Sequence, residues 1–278
     1  MHASDLAYLS ALVAHHTAIT LEHMRPAQIS ARLAPVARRF GFRTPTALMR
    51  ELPHGHGQLV QAVIEAMTTN DTWFFRDRVV FDHFRDCLLP ALLSRRRATR
   101  SLRIWCAAAS TGQEAYTLAM ILAEKNLPAE GWTIEIIASD ISATCIARAR
   151  DGLYSDEEVQ RGLGVKRLIT HFAQNTPGWR INPALHQMVR FHTFNLLHDF
   201  DWLGTLDLIV CRNVLFYFEP RTKLQVLERL AVQLAPDGFL LTGTAELPHH
   251  ITPAFEPVPE GRGIYSKPTP DYHRTNFH

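Results

Sequence analysis

No apolar run in this 278-residue chain reaches the roughly 18 residues that a bilayer-spanning helix needs, so any work at a membrane must go through a partner. Charge imbalance is just as slight. Lys+Arg 29 against Asp+Glu 27 leaves a formal charge of +2, which argues against a protein whose main business is gripping nucleic-acid backbone, where a strong basic excess is expected. Cysteine is scarce too. The four (Cys87, Cys106, Cys145 and Cys211) are widely spaced, with no C-x-x-C pair and no histidine at metal-ligand spacing. Three lie in apolar runs, where Cys acts as a small core residue, so a reducing, cytoplasmic setting is expected. The opening MHASDLAYLSALVAHH lacks a basic n-region followed by a sustained apolar h-region, so no secretory leader is expected. The chain shows no internal repeat and no low-complexity tract. His54, His56, His249 and His250 stand in loop-like contexts without acidic or Cys partners, and no metal is assigned.

What is present is an ordinary globular balance, 46% hydrophobic and 20% charged. Residues 1–66 read as an N-terminal helical domain. Ile29, Leu33, Val36 and Phe40 recur at helical spacing, Arg25, Arg32 and Arg39 recur on a different face, and Pro35 is expected to kink the helix or start a new one. The basic face is either a docking surface for acidic helices or a solvated face. A helical pattern follows from Asp77 to about Leu93, and Arg95, Arg96, Arg97 and Arg100 then read as a solvated linker.

Strands and helices alternate from there. LRIWCAAA (102–109), WTIEIIASD (132–140), LDLIVCRN (206–213) and GFLLTGTAE (238–246) read as strands, with helical patterns at 112–125, 142–150 and 222–235 between them. Such alternation predicts an α/β fold, a doubly wound and mostly parallel sheet covered by helices on both faces. The stretch at about 155–192 breaks the rhythm. With WRIN and MVRFHTF as short β-like runs, it predicts a small antiparallel β-insertion in a catalytic domain spanning 67–278. GIYSKP (263–268) is expected as a last edge strand.

In an open α/β sheet, ligands bind beyond the carboxyl ends of the strands. There the first strand is followed by AAASTGQE (107–114), whose small residues let the backbone approach a ligand closely before a helix begins. It is not G-x-G-x-x-G, so a cofactor without a pyrophosphate fits better than a dinucleotide. Asp140 ends the second strand, where an acid either accepts hydrogen bonds from both ribose hydroxyls of an adenosine or caps the next helix. Glu114 either binds a cofactor amino group or serves the dipole of its own helix. Arg212, Asn213 and Tyr217 follow a buried run and need partners, from ligand or protein. In TTNDTWFFRD (68–77), nothing local separates caps and core from a binding element.

Together these segments resemble the chemotaxis receptor methyltransferase family, CheR. TTNDTWFFR is similar to its N-x-T-x-F-F-R element, IWCAAASTGQEAYTLAM to A-A-x-S-x-G-x-E-x-Y-S, and ASDIS with RARDGLYS to A-T-D-I with A-x-x-G-x-Y. VRFHTFNLL, DLIVCRNVLFYF and LAPDGFLLTGTAE continue in family order over about residues 65–265. Two departures stand out: Gln113 where an acid is common, and Thr244-Ala245 for the His-Ser of a G-H-S-E element. The resemblance implies methyl transfer from S-adenosylmethionine to glutamate side chains of chemoreceptors. It implies cofactor contacts from Asn70, Thr72, Arg76, Glu114, Asp140, Asn195, Leu196, Arg212 and Asn213, with Arg76 and Tyr217 facing the methyl acceptor. It also implies that the acceptor lies in the receptor's cytoplasmic helical region and that the β-insertion can dock on a receptor's C-terminal tail. The alternatives are the same chemistry in another signalling pathway, or a non-catalytic cofactor-binding adaptor.

Overall fold

A computed structural model describes residues 2–22, 24–259 and 261–268. Their contacts group into two units, one running up to Asn70 and including Tyr217–Thr222, the other made of Asp71–Phe216 and the residues from Lys223 on.

The first unit is helical: α1 (Ala3–Thr17), α2 (Pro26–Arg39), α3 (Pro45–Glu51) and α4 (Gly57–Met67). The stripe read from sequence on α2 is buried, with Ile29, Leu33, Val36 and Ala37 turned inward. Pro35 neither ends nor restarts this helix, which runs on to Arg39. The three arginines of α2 divide their roles. Arg25 and Arg39 are exposed, whereas Arg32 donates from Nη1 to Thr68 O at 2.7 Å and Met67 O at 3.3 Å, and from Nη2 to Thr69 Oγ1 at 3.1 Å. It thereby satisfies carbonyls that the end of α4 leaves without intrahelical donors. An antiparallel bridge between Ile19 and Phe218 ties the later segment into this unit.

The second unit opens with α5 (Arg78–His83) and α6 (Leu89–Arg95), separated by one π-helical turn at Phe84–Leu88. The single helix expected at 77–93 is thus interrupted, and Leu89 N donates to Phe84 O, five residues back. Pro90 is the signal, because it cannot supply the ordinary helical N–H and its ring crowds the preceding turn.

Next come β1 (Ser101–Ala107), α7 (Gln113–Glu124), β2 (Thr133–Asp140), α8 (Ala143–Asp151), β3 (Leu153–Tyr154), α9 (Asp156–Gln160), α10 (Val165–His171), β4 (Phe172–Asn175), β5 (Gly178–Ile181), α11 (Pro183–His186) and β6 (Val189–Thr193). The chain ends with β7 (Leu206–Cys211), α12 (Pro220–Gln233), β8 (Leu234–Leu241), β9 (Glu256–Pro257) and β10 (Ile264–Ser266).

The main sheet has seven strands in the order β6-β2-β1-β7-β8-β10-β9, and β3, β5 and β4 form a separate three-stranded antiparallel sheet. Pairing from β6 through β8 is parallel, and β10 runs antiparallel between β8 and β9. This is the mostly parallel α/β architecture with a β-insertion that the sequence predicts. Two details differ. Val189–Thr193 leaves the insertion and pairs in parallel with β2, putting Val189 and Phe191 on the buried side. The GIYSKP strand is internal to the sheet, with β9 outside it.

Apolar side chains from β1, β2 and β7 merge with α5, α6 and α7 into one core. An aromatic group seats the insertion on it: Phe74 meets Tyr154 at 5.0 Å and Phe172 at 5.4 Å, nearly edge to face. Gly152 permits the entry turn, with φ +63° and a position where a Cβ would fall 2.5 Å from Ile181 Cγ2. The arginine-rich segment is no solvated linker. Arg96 forks between Asp207 Oδ1 at 2.6 Å and the two oxygens of Asp237 at 2.6 and 2.8 Å, fastening α6 to the start of β7 and to β8.

Candidate active site

The carboxyl ends of β6, β2, β1 and β7 lie side by side, and each leads into a loop containing residues singled out from sequence. After β1 the backbone is left-handed at Ala108 (φ 58°), Ser110 (φ 50°) and Gly112 (φ 90°) before α7 begins. Two such non-glycine residues so close together mark backbone strain that surrounding contacts must hold. Asp140 supplies one of them, its Oδ2 accepting from Ser110 N at 2.8 Å while Oδ1 accepts from Ser142 N at 2.9 Å. Its buried carboxylate therefore fixes the β1 loop and the entry to α8 together, and Ser142 caps α8 by accepting from Cys145 N at 3.1 Å. Tyr154 supplies the other, its hydroxyl donating to Thr111 O at 2.8 Å. Burial pushes the Tyr154 phenol well above its ordinary pKa, so it remains a donor.

After β6, Asn195 Oδ1 accepts from Leu197 N at 3.0 Å, and Leu196 is buried. Arg229 on α12 holds this loop, donating to Leu196 O at 2.8 Å, His198 O at 2.8 Å and Leu197 O at 3.3 Å.

After β7, Arg212 turns into the protein. Its side chain has 0% exposure and donates to Asp77 Oδ2 at 2.6 Å and to Glu114 Oε1. Glu114, at the start of α7, is thus engaged as an acceptor for Arg212. Asn213 has the opposite character. It is half-buried with φ 57°, and among the described residues its side-chain amide has no hydrogen-bond partner. Its backbone N–H donates to Glu246 Oε2 at 2.9 Å.

The segment before α5 is strained on both sides of Arg76, with Phe75 at φ 54° and Asp77 at φ 56°. Phe75 N donates to Thr117 Oγ1 at 3.1 Å, and Asp77 is pinned by Arg212. Arg76 itself lies over the Trp73 ring at 4.5 Å and donates to Asp71 O at 2.7 Å. The Thr72 side chain has no hydrogen-bond partner among the described residues. Asn70 and Tyr217 belong to the helical unit. There Tyr217 borders a cavity of about 370 Å³ with Met24, Gln28, Arg32 and Thr69.

Sequence reasoning missed Asp77, Tyr154, Glu246 and Arg229 as residues that position this rim. For Tyr154 and Glu246 a signal existed, since both lie in quoted motifs. For Arg229 there was none, because its targets lie more than 30 residues away.

Residues 70–264 match the family model described as CheR methyltransferase, SAM binding domain. The chain belongs to the CheR methyltransferase family. Chemotaxis protein methyltransferase 1 of Pseudomonas aeruginosa is 35% identical over 240 residues, covering 85% of this chain and 87% of that protein. A like-named Vibrio cholerae protein is 35% identical over 243 residues, 86% of this chain and 87% of its own length. The chemotaxis protein methyltransferase of Borreliella burgdorferi is 30% identical over 251 residues, covering 87% of each chain.

The cofactor of a CheR methyltransferase is S-adenosylmethionine, and the donor set fits it. Asp140 offers a buried carboxylate suited to a diol, and the β1 loop presents only small side chains. Asn213 and Thr72 offer polar groups without protein partners among the described residues, and the Arg212 charge is already met by two carboxylates. No described helix is long and apolar enough to cross a membrane.

Proposed function

We propose that this methyltransferase forms methyl esters on glutamate side chains in the cytoplasmic helical region of chemoreceptors, and that it works in the cytoplasm. The single observation that supports this most is the close similarity, over nearly the whole chain, to proteins named chemotaxis protein methyltransferase.

Bound S-adenosylmethionine supplies a methyl group made electrophilic by its sulfonium. Asp140 accepts hydrogen bonds from the ribose hydroxyls while its backbone partners hold it in place. Thr72, Asn195, Leu196 and Asn213 line the remainder of the cofactor. Glu114 offers the cofactor's amino group an oxygen, and Arg212 holds Glu114 in place. Arg76 contributes to the cofactor pocket and orients the acceptor carboxylate.

A glutamate side chain, with a pKa of about 4.3, is already ionised at neutral pH. Its oxygen can take the methyl carbon without giving up a proton, so a general base is unnecessary. Alignment and exclusion of water are what the protein must provide. Arg76 suits that task, since a forked cation can fix one carboxylate oxygen and leave the other exposed. The exposed Arg25 and Arg39 suit an acidic helical partner, and the three-stranded sheet offers strand edges to a receptor tail.

Incubation with receptor-containing membranes and methyl-labelled cofactor tests the reading. Label released as methanol by mild base is the expected result. Base-stable label, or none on receptor while a small acid is esterified, overturns it.

A further inference from the structure

Glu246 follows β8, and its carboxylate accepts from five backbone N–H groups. Oε1 takes Val214 N at 2.9 Å, Leu215 N at 2.7 Å and Phe216 N at 3.4 Å, while Oε2 takes Asn213 N at 2.9 Å and Gly243 N at 2.7 Å. Such a row of N–H groups around one anion is a backbone nest, filled here by the protein's own carboxylate. The residue is buried, and its carbonyl is fixed as well, by Thr242 Oγ1 at 3.0 Å and the Tyr265 hydroxyl at 3.4 Å. Four of the five donors are consecutive residues of the loop after β7. The first of them is Asn213, whose left-handed backbone is uncommon for a non-glycine residue.

We propose that Glu246 is a positioning residue for the cofactor: it holds the loop after β7 in the one conformation that presents the Asn213 amide at the rim. This rests on the reading of the rim as the S-adenosylmethionine site. Two features separate it from a purely structural brace. The clamp acts on backbone N–H groups of the residue whose own side chain lacks a protein partner among the described residues. Gly243, on the β8 side of the clamp, leaves the space the arrangement needs. A Cβ there would stand 2.8 Å from Asn213 Nδ2, 2.8 Å from Glu246 Oε2 and 3.2 Å from the Asn213 backbone N, so it presses on the clamp and on the amide together. Gly243→Ala is therefore expected to displace this pair, and its thermal midpoint reports whether the fold is kept.

The test compares wild type, Glu246→Gln, Gly243→Ala and Arg96→Gln for thermal midpoint and for S-adenosylhomocysteine affinity by calorimetry. Arg96→Gln is the control for destabilisation alone, since Arg96 serves the opposite ends of β7 and β8. The amide of Gln retains one acceptor oxygen and turns donors toward donors, so the loop loses its hold. Expected for both Glu246→Gln and Gly243→Ala is product affinity weaker by at least about tenfold, the size of one or two displaced hydrogen bonds. Arg96→Gln is expected to lower the midpoint with affinity kept within about twofold. The Michaelis constant for receptor at saturating cofactor should stay near wild type in Gly243→Ala. Wild-type affinity in a folded Gly243→Ala, or the same loss in Arg96→Gln, overturns the proposal. Failure of wild type to bind S-adenosylhomocysteine overturns the cofactor reading instead.

Discussion

Arg212 Nη2 lies 2.6 Å from Asp77 Oδ2, joining residues 135 positions apart in a guanidinium–carboxylate contact from which the arginine side chain has no exposed surface. Removing the buried arginine would strand the buried Glu114 carboxylate without its charge partner, whereas Asp77 is partly exposed and can turn to water. Arg212→Leu is therefore expected to lower unfolding free energy by about 3–5 kcal/mol, measured by denaturant titration. It should also loosen Glu114 and the strained turn at Asp77. Wild-type stability with weakened cofactor binding would show instead that Arg212 acts mainly on the ligand.

Asp140 is the residue we propose as the acceptor for the ribose hydroxyls of the cofactor. Asp140→Ala removes a charged acceptor for two hydroxyls, each charge-assisted bond being worth about 1.5–3 kcal/mol, so S-adenosylhomocysteine affinity should fall by about a hundredfold or more. The same change frees Ser110 N and Ser142 N, and a lowered melting temperature is expected with it. Asp140→Asn keeps an acceptor and the shape and should lose less on both counts. Equal affinity in wild type and both variants, by calorimetry, would remove Asp140 from the site.

The arginines of α2 call for different expectations. Reversing Arg32 to Glu strips the end of α4 of its donors and places an anion beside its carbonyls. A loss of about 1–3 kcal/mol in stability is expected, so weakened methylation in this variant would not report on docking. Arg25→Glu is the cleaner probe, because Arg25 is exposed. It should leave the melting temperature unchanged and raise the receptor concentration needed for half-maximal methylation. Unchanged receptor dependence would count against the basic face as a docking surface.

The parts legible in the sequence are those set by local pattern. Runs such as LRIWCAAA and TIEIIASD announce buried parallel strands by length and apolarity, and Asp140 announces itself by ending one. What was hidden depends on distant partners. The run around Phe191 alternates as any half-buried strand does, so it could not reveal that it pairs with β2 rather than with the insertion. The arginines after α6 look solvated until Asp207 and Asp237 arrive from more than 100 residues away. Glu246 lay inside a quoted motif, yet its significance comes from the N–H groups of a loop 30 residues earlier. The π turn is the exception, since Pro90 marks it locally.

The Arg96 fork also predicts how stability responds to acid. The Arg96 hydrogen bond holds the Asp237 carboxyl below its usual range, against a smaller opposing effect of burial. A carboxyl whose folded pKa is depressed adds stability that is fully present above its unfolded value of about 3.9 and is lost as pH falls through the lower folded value. Arg96→Gln removes the largest cause of that depression, leaving only the smaller effects of a backbone hydrogen bond and of Arg95. The stability gap between wild type and Arg96→Gln should thus be widest near neutral pH, about 1–3 kcal/mol for so partly exposed a cluster, and should narrow from about pH 4 downward. Urea titrations at neutral pH and through the acid range check this. A gap that stays constant into acid would mean that Arg96 stabilises through packing, with its charge on Asp237 contributing nothing.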